Sequence, residues 1–329
     1  MESSRPTACY SRGPRRDAAK SPRPMPQPTV DATETAQAPW HIVGCGRMGT
    51  LAAGYLQAAG ESVVVIRPGA AHSRTTWLHF AATGARRRVT LPVRPAEACG
   101  PVVRLIVACK TPYTQAALAP ITLADHALVL RLQNGIGSLE GMLGDDQRLI
   151  EVVTASAVRS AGPDTLDVVA ENASRFGGGT PPACWAGLTA HWPGATWHSD
   201  IRHVQWHKLV VNAAINPLTA IHDVDNGRLV ERADLQAAMT RLADEADDLL
   251  KALDPGWPGG SAGHVADIAR ATAANMSSMR ADRHAGAVTE IESINGWLLR
   301  EAARRGHTLP AHAEITARVR ALHPAPADA

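Results

Sequence analysis

An ammonium and two carboxamides recur at four-residue intervals in the segment Trp206-His207-Lys208-Leu209-Val210-Val211-Asn212-Ala213-Ala214-Ile215-Asn216-Pro217. On a helix, positions i, i+4 and i+8 share one face, so Lys208, Asn212 and Asn216 form a polar stripe on an otherwise apolar rod. Turned toward a cleft, such a stripe suits the reduction of a carbonyl. Hydride addition to C=O builds negative charge on the oxygen, and a nearby ammonium can stabilise and then protonate it. Turned toward water, the same stripe would be a solvated face.

A second motif could supply the hydride carrier. Gly44-Cys45-Gly46-Arg47-Met48-Gly49 has G-x-G-x-x-G spacing after the apolar run Trp40–Val43 and before a helical pattern, Arg47 to Ala59. The first glycine permits a tight turn, the second lets backbone approach a pyrophosphate, and the third lets helix and sheet pack closely. The helix N-terminus then presents free N–H groups to phosphate. The next strand, Ser62–Ile66, ends in Ile66-Arg67-Pro68-Gly69 with no acid. An acid there would accept from the ribose 2′-hydroxyl of NAD, whereas Arg67 can pair with a 2′-phosphate. This favours NADP(H). Lys110 and Asn134 follow two further strands, at the strand ends where such sheets bind ligands.

Asn275 and Ser278 are three residues apart and are expected on one helix face. Glu290 suits the first turn of a helix, where an acid complements the dipole. The 14 histidines are scattered and suggest no metal site, and no G-x-S-x-G elbow occurs.

These groups must be carried by a fold. The chain has 329 residues, 33 Lys and Arg, 31 Asp and Glu, and a formal charge of +2. A near-neutral balance argues against a nucleic-acid binder, and no apolar run is long enough to span a membrane. The 5 cysteines show no C-x-x-C spacing, which suits a reducing cytosol. Residues 1–38 are rich in Pro, Ser and Arg without apolar period and read as a disordered tail. Strands are expected at Trp40–Val43, Ser62–Ile66, Val102–Cys109, Ala127–Leu132, Arg148–Thr154 and Thr165–Glu171, alternating with helical segments. Arg67–Arg88 reads as a loop rich in Ala, Arg and His. Beyond residue 200, helices are expected at 202–216, 234–253, 263–281, 288–305 and 312–322. The expected fold class is therefore α/β: a Rossmann-like, doubly wound sheet over residues 39–200, followed by an all-helical domain over residues 201–325.

From Trp40 to Pro324 the chain resembles the ketopantoate reductase (2-dehydropantoate 2-reductase) family. The resemblance is carried by Gly44–Gly49, Lys110, Gln133–Gly137, Trp206–Ile221, Asn226-Gly227, Asn275–Met279 and Thr289–Trp297. It implies NADPH-dependent reduction of ketopantoate to (R)-pantoate, a step toward pantothenate and coenzyme A, in the cytoplasm. By resemblance, Lys208 would donate the proton, and Glu290 would lie where substrate hydroxyl and cofactor meet. Asn134, Asn212, Asn216, Asn226, Asn275 and Ser278 would hold substrate. Gly44, Cys45, Gly46, Arg47, Met48, Gly49, Arg67, Lys110, Asn134, Val158 and Glu290 would hold NADP(H). The implied partner is a small 2-oxoacid, with neither nucleic acid nor membrane; a homodimer is compatible with the sequence. Two other readings fit the same residues: a reductase of another 2-oxoacid or an imine, and a non-catalytic NADPH-binding redox sensor.

Overall fold

Strand β1 (Trp40–Val43) is buried along its whole length and runs through Gly44 into helix α1 (Arg47–Ala58), which returns the chain to β2 (Val63–Ile66). This parallel βαβ unit is the seed of the sheet. The computed structural model describes residues 38–322, so the tail expected over residues 1–38 lies outside it but for its last residue.

The chain continues through β3 (His72–Phe80), β4 (Arg86–Arg94), β5 (Val102–Val107), the short helix α2 (Thr114–Leu118), β6 (Leu123–Arg131) and β7 (Arg148–Thr154). The strands β4-β2-β1-β5-β6-β7 are all parallel. That is the dinucleotide-binding order, with its reversal beside β1. Further strands β8 (Ala157–Gly162), β9 (Thr165–Ala170), β10 (Ser174–Gly177) and β11 (Thr196–His198) extend it, with α3 (Trp185–Thr189) between the last two. The result is an 11-stranded mixed sheet, β11-β10-β7-β6-β5-β1-β2-β4-β3-β9-β8. Side chains alternate between its faces. Ile106 joins one apolar cluster with Trp40, Leu56 and Phe176, while Leu105 and Val107 join another with Val43 and Val129.

The segment expected to be a loop, Arg67–Arg88, is mostly strand. β3 pairs antiparallel with β4 over His72–His79, and β3 bridges to β9. Its apolar residues are sparse because only one face is buried: Leu78, Phe80, Val89 and Leu91 point inward while Arg86 and Arg88 face water. The charged face hid the alternation.

From residue 202 every described element is helical: α4 (Arg202–His222), α5 (Arg228–Glu231), α6 (Ala233–Leu253), α7 (Ser261–Ala271), α8 (Ser278–His284), α9 (Asn295–Arg304) and α10 (Pro310–Leu322). A separate apolar core joins α4 to its neighbours through Leu209, Val210, Ala213, Leu218, Leu249, Val265, Leu298 and Ile315. Two expected helices change. The pattern over 263–281 is interrupted at residues 272–277, and that over 288–305 begins only at Asn295.

Helix α4 also runs six residues beyond the expected stop, straight through Pro217. Proline lacks an N–H, so the carbonyl four residues earlier loses its helical donor. That carbonyl belongs to Ala213, and the Asn295 side chain supplies the missing donor, Nδ2 to O 2.9 Å. Asn295 is fully buried, with Nδ2 also 3.0 Å from His312 Nδ1. His312 Nε2 lies 2.9 Å from the Leu242 carbonyl, and burial pushes the imidazole down to about 4. It is therefore neutral, accepting at Nδ1 and donating at Nε2. Asn295→Leu should orphan the Ala213 carbonyl and cost about 1–3 kcal/mol. Thermal denaturation should show the loss, and adding Pro217→Ala should recover part of it by restoring the N–H. Strictly additive effects would refute the pairing.

Candidate active site

The site is assembled where the C-terminal ends of β1, β5, β6 and β7 meet the polar side of α4 and the turn before α9. Gly44 turns the chain at φ +85°, and a Cβ there would lie 2.1 Å from the Cys109 nitrogen. At Gly49 a Cβ would meet the Gly44 carbonyl at 2.3 Å. These two glycines are required by packing. Gly46 is different: it is exposed and a Cβ would meet nothing within 4 Å. The open space lies at the N-terminus of α1, whose first turn has no acidic residue. The cradle thus fits a dinucleotide pyrophosphate, with bare N–H groups and no repelling charge.

Around the cradle, Cys45 and Met48 are partly buried in the sheet core and Arg47 is exposed. Val158 packs into the same apolar cluster from β8. Arg67 is exposed at the end of β2, its backbone N–H bonded to the Arg94 carbonyl. The sequence reading missed Arg74. Its guanidinium reaches back from β3 to donate to the Cys45 carbonyl, Nη1 to O 2.9 Å, and so holds positive charge over the glycine turn. Only recognition of the hairpin could have found it.

Two loops cross to the helical half. The loop after β5 carries Lys110, whose Nζ lies 2.6 Å from Asp282 Oδ1 on α8. Thr111 donates its N–H to Glu290 Oε1 at 3.2 Å, and its hydroxyl lies 2.7 Å from Ser293 Oγ. The loop after β6 carries Asn134, held in place by its neighbours. Gln133 Nε2 donates to the Cys109 carbonyl at 2.7 Å, and buried Arg131 donates to the Gly135 carbonyl at 2.9 Å. Asn134 Nδ2 donates to Glu290 Oε2 at 3.1 Å. Gly135, at φ +71°, leaves no room for a Cβ, which would lie 2.2 Å from the Ser293 carbonyl.

Lys208 projects from α4 into this seam. Its Nζ donates to the Thr154 carbonyl at the end of β7, at 2.7 Å. Burial pushes the Lys208 ammonium down to about 8, while Glu290 favours its charged form and Arg131 opposes it. Glu290 is buried; desolvation pushes its carboxyl up, against the hydrogen bonds from Asn134 and Thr111 and the charge of Lys208. The seam therefore holds an amine and a carboxyl whose proton affinities are drawn together by desolvation, a recurrent property of reactive sites.

Beside Lys208 opens a cavity of about 800 Å³. Asn134, Lys208, Asn212 and Asn216 line it, and Asn275 and Ser278 line its other wall. Asn275 lies just before α8 rather than on a shared helix face with Ser278, yet both reach the same space. Ser277, between them, caps α8 by accepting from the Arg280 N–H. Helix α8 is fixed by Arg280 donating to Asp223 and Asp225, and by Arg283 donating to the Ala220 carbonyl at the end of α4. Asn226 is not among the cavity-lining residues. Its side chain donates to Thr272 Oγ1 at 2.9 Å, and its N–H donates to the Asn275 carbonyl, so it anchors the segment that carries Asn275. Among the described residues no cluster of His, Cys, Asp or Glu could hold a metal ion, and the four described cysteines are free.

The contrast between the glycines gives a clean test. Gly46→Ala should leave the melting temperature nearly unchanged, because its methyl meets open space. It should raise the dissociation constant for NADPH at least about tenfold, by intruding where the backbone must approach phosphate. Unchanged affinity in titration calorimetry would remove the turn from cofactor binding.

The model of the family described as ketopantoate reductase PanE/ApbA matches residues 40–178, and that of its C-terminal part matches residues 200–323. The 2-dehydropantoate 2-reductase of Vibrio cholerae is 28% identical over 295 residues, 85% of this chain and 96% of that protein. That of Halobacterium salinarum is 29% identical over 287 residues, 82% and 93% of the two chains. The solved structure of a PanE/ApbA family ketopantoate reductase from Ralstonia eutropha superposes with a TM-score of 0.76 at 25% identity, covering 86% of this chain and 98% of that one. With the glycine turn, the asparagine loop and the lysine helix in this arrangement, and both family models matched in order, the chain belongs to the ketopantoate reductase family of oxidoreductases.

Proposed function

We propose that this enzyme reduces 2-dehydropantoate (ketopantoate) to (R)-pantoate with NADPH, a step toward pantothenate and coenzyme A. The observation that carries the reading is the Lys208 ammonium, desolvated at the seam between sheet and helices and flanked in one cavity by Asn134, Asn212 and Ser278.

The residues divide by chemistry. The glycine turn with Lys110, Arg67 and Arg74 would hold the dinucleotide, and when bound it supplies hydride to the carbonyl carbon. Lys208 polarises the carbonyl oxygen and delivers a proton to it as negative charge builds there. An ammonium with its proton affinity pushed down to about 8 releases that proton more readily than an exposed lysine. Asn212 and Asn216 donate or accept along the substrate's polar edge, while Ser278 and Asn275 face its carboxylate end. Glu290 keeps Lys208 charged and fixes the Asn134 amide. Packing of both halves around the seam excludes water, which strengthens each of these interactions.

NADPH rather than NADH is supported by the absence of an acid at the end of β2 and by two arginines, Arg67 and Arg74, near the turn. Guanidinium groups suit a 2′-phosphate, and nothing there suits a 2′-hydroxyl acceptor.

Lys208→Ala should lower turnover with ketopantoate about 10²–10⁴-fold while NADPH still binds. In the unaltered enzyme the donor exists below the folded proton affinity of Lys208, so kcat/KM should fall as pH rises through about 8. NADPH absorbance reports both, and a rate indifferent to the substitution would remove Lys208 from the mechanism. Arg67→Ala and Arg74→Ala should each weaken NADPH far more than NADH. Equal losses for the two cofactors would defeat the phosphate assignment.

A further inference from the structure

The cavity is longer than a ketopantoate molecule needs. Along α4 its lining runs from Asn216 back to Val204, twelve residues or about 18 Å at 1.5 Å per residue. A six-carbon oxoacid held between Ser278 and Lys208 occupies the Asn216 end, since its skeleton of C–C bonds of about 1.5 Å spans only about 6 Å. The arm beyond Lys208 is left over, and its walls carry basic side chains. Arg175 enters from β10, His207 from α4 and His264 from α7.

None of these three makes an ion pair or side-chain hydrogen bond with a described residue. Arg175 is a permanently charged group turned to the cavity with no carboxylate partner. The rings of His207 and His264 lie 6.3 Å apart, centroid to centroid. No Asp or Glu lines the cavity. The acids around the histidines are already engaged: Asp267, three residues beyond His264 on α7, pairs with Arg270 at 2.8 Å. Asp254 accepts from His203, Nε2 to Oδ2 3.0 Å, and from the Gly256 N–H. Asp247 is buried and accepts from Trp257 Nε1, the Ser261 N–H and the Ser261 hydroxyl. Lys251 packs under Gly259 and adds another positive charge to the same end.

We propose that Arg175, His207 and His264 form an anion subsite in this arm, so that the enzyme also reduces 2-oxoacids carrying a second negative group at the end remote from the carbonyl. The proposal rests on the reductase reading and names a substrate class for the same site. In such a substrate the 1-carboxylate lies toward Ser278, the 2-oxo group meets Lys208, and the distal anion lies among the three basic side chains. The reaction is otherwise unchanged: C2 gains hydride from NADPH, its oxygen gains the Lys208 proton, and NADP⁺ leaves.

Burial and the neighbouring His264 and His203 push the His207 imidazole down, while Asp247 raises it weakly. His207 is thus neutral at neutral pH in the free enzyme, and an anion beside it favours protonation. Binding of the distal anion should therefore tighten as pH falls from 8 toward 6.

The test compares 2-oxoadipate, which ends in a carboxylate, with 2-oxohexanoate, which ends in a methyl group, on the full chain with NADPH. The unaltered enzyme should show kcat/KM at least about tenfold higher for 2-oxoadipate, through KM, with the ratio rising at lower pH. In Arg175→Ala/His264→Ala the ratio should fall to about one, again through KM. A ratio of one or less in the unaltered enzyme, or a ratio that survives the double substitution, overturns the subsite. Titration calorimetry of both acids into the NADPH-loaded enzyme gives the same comparison without turnover. If no 2-oxoacid is reduced, ketopantoate included, the reductase reading fails, and calorimetry still decides the subsite by whether the double substitution abolishes a preference for the dianion.

Discussion

The structure turns on one desolvated ammonium. Lys208 sits between two cores that share no side chains, the apolar clusters of the sheet and the separate cluster of the helices. Its nearest partner is a backbone carbonyl from the opposite half rather than a carboxylate. A lysine salt-bridged at close range would hold its proton too firmly to act as an acid. One left in water would hold it at an ordinary affinity, with its charge screened by solvent. Glu290, close enough to be felt but hydrogen-bonded elsewhere, keeps the charge without capturing it.

Much of this was legible in the sequence because helix periodicity is blunt and local. Lys208, Asn212 and Asn216 fall on one face by arithmetic alone, and the neighbours Leu209, Val210, Ala213 and Ala214 say which face is buried. The glycine turn was equally legible, because each glycine answers a local steric demand. What failed was whatever depended on partners distant in sequence. Pro217 reads as a helix stop, and only Asn295, 78 positions later by subtraction, makes it a helix interior. The β3–β4 hairpin reads as loop because three consecutive arginines, Arg86 to Arg88, interrupt the apolar alternation at the start of β4. Arg74 was lost with it. Glu290 could be read as a dipole-complementing acid, yet it precedes α9 in a non-helical turn and is buried against the other half of the molecule.

Asn226 and Ser277 show why residues around a site resist reading from spacing. Both sit in the shell that holds Asn275 and Ser278 rather than in the cavity wall. Gly227 fits the same pattern: a Cβ there would lie 2.7 Å from Ala273 Cβ, so the short interruption between α7 and α8 can close onto it only if the position is glycine. The interruption expected to be helix is what carries Asn275 to the cavity.

The seam itself is mainly polar, with Ile136 packed against the helical core as an apolar contact. Lys110 meets Asp282, Thr111 meets Glu290 and Ser293, Asn134 meets Glu290, Ile136 N–H meets the Ser293 carbonyl, and Lys208 meets Thr154. Several of these groups are those that would hold cofactor and substrate. Each is already partly withdrawn from water in the protein as it stands, so a ligand need not strip hydration from a fully solvated group; it exchanges one hydrogen-bond partner for another. Apolar closure would have made a stronger joint, but it would have left no donors at the place where charge must be met. An interface of exchangeable hydrogen bonds holds the two halves in register and keeps their polar groups available, which is the compromise a cleft between two rigid cores requires.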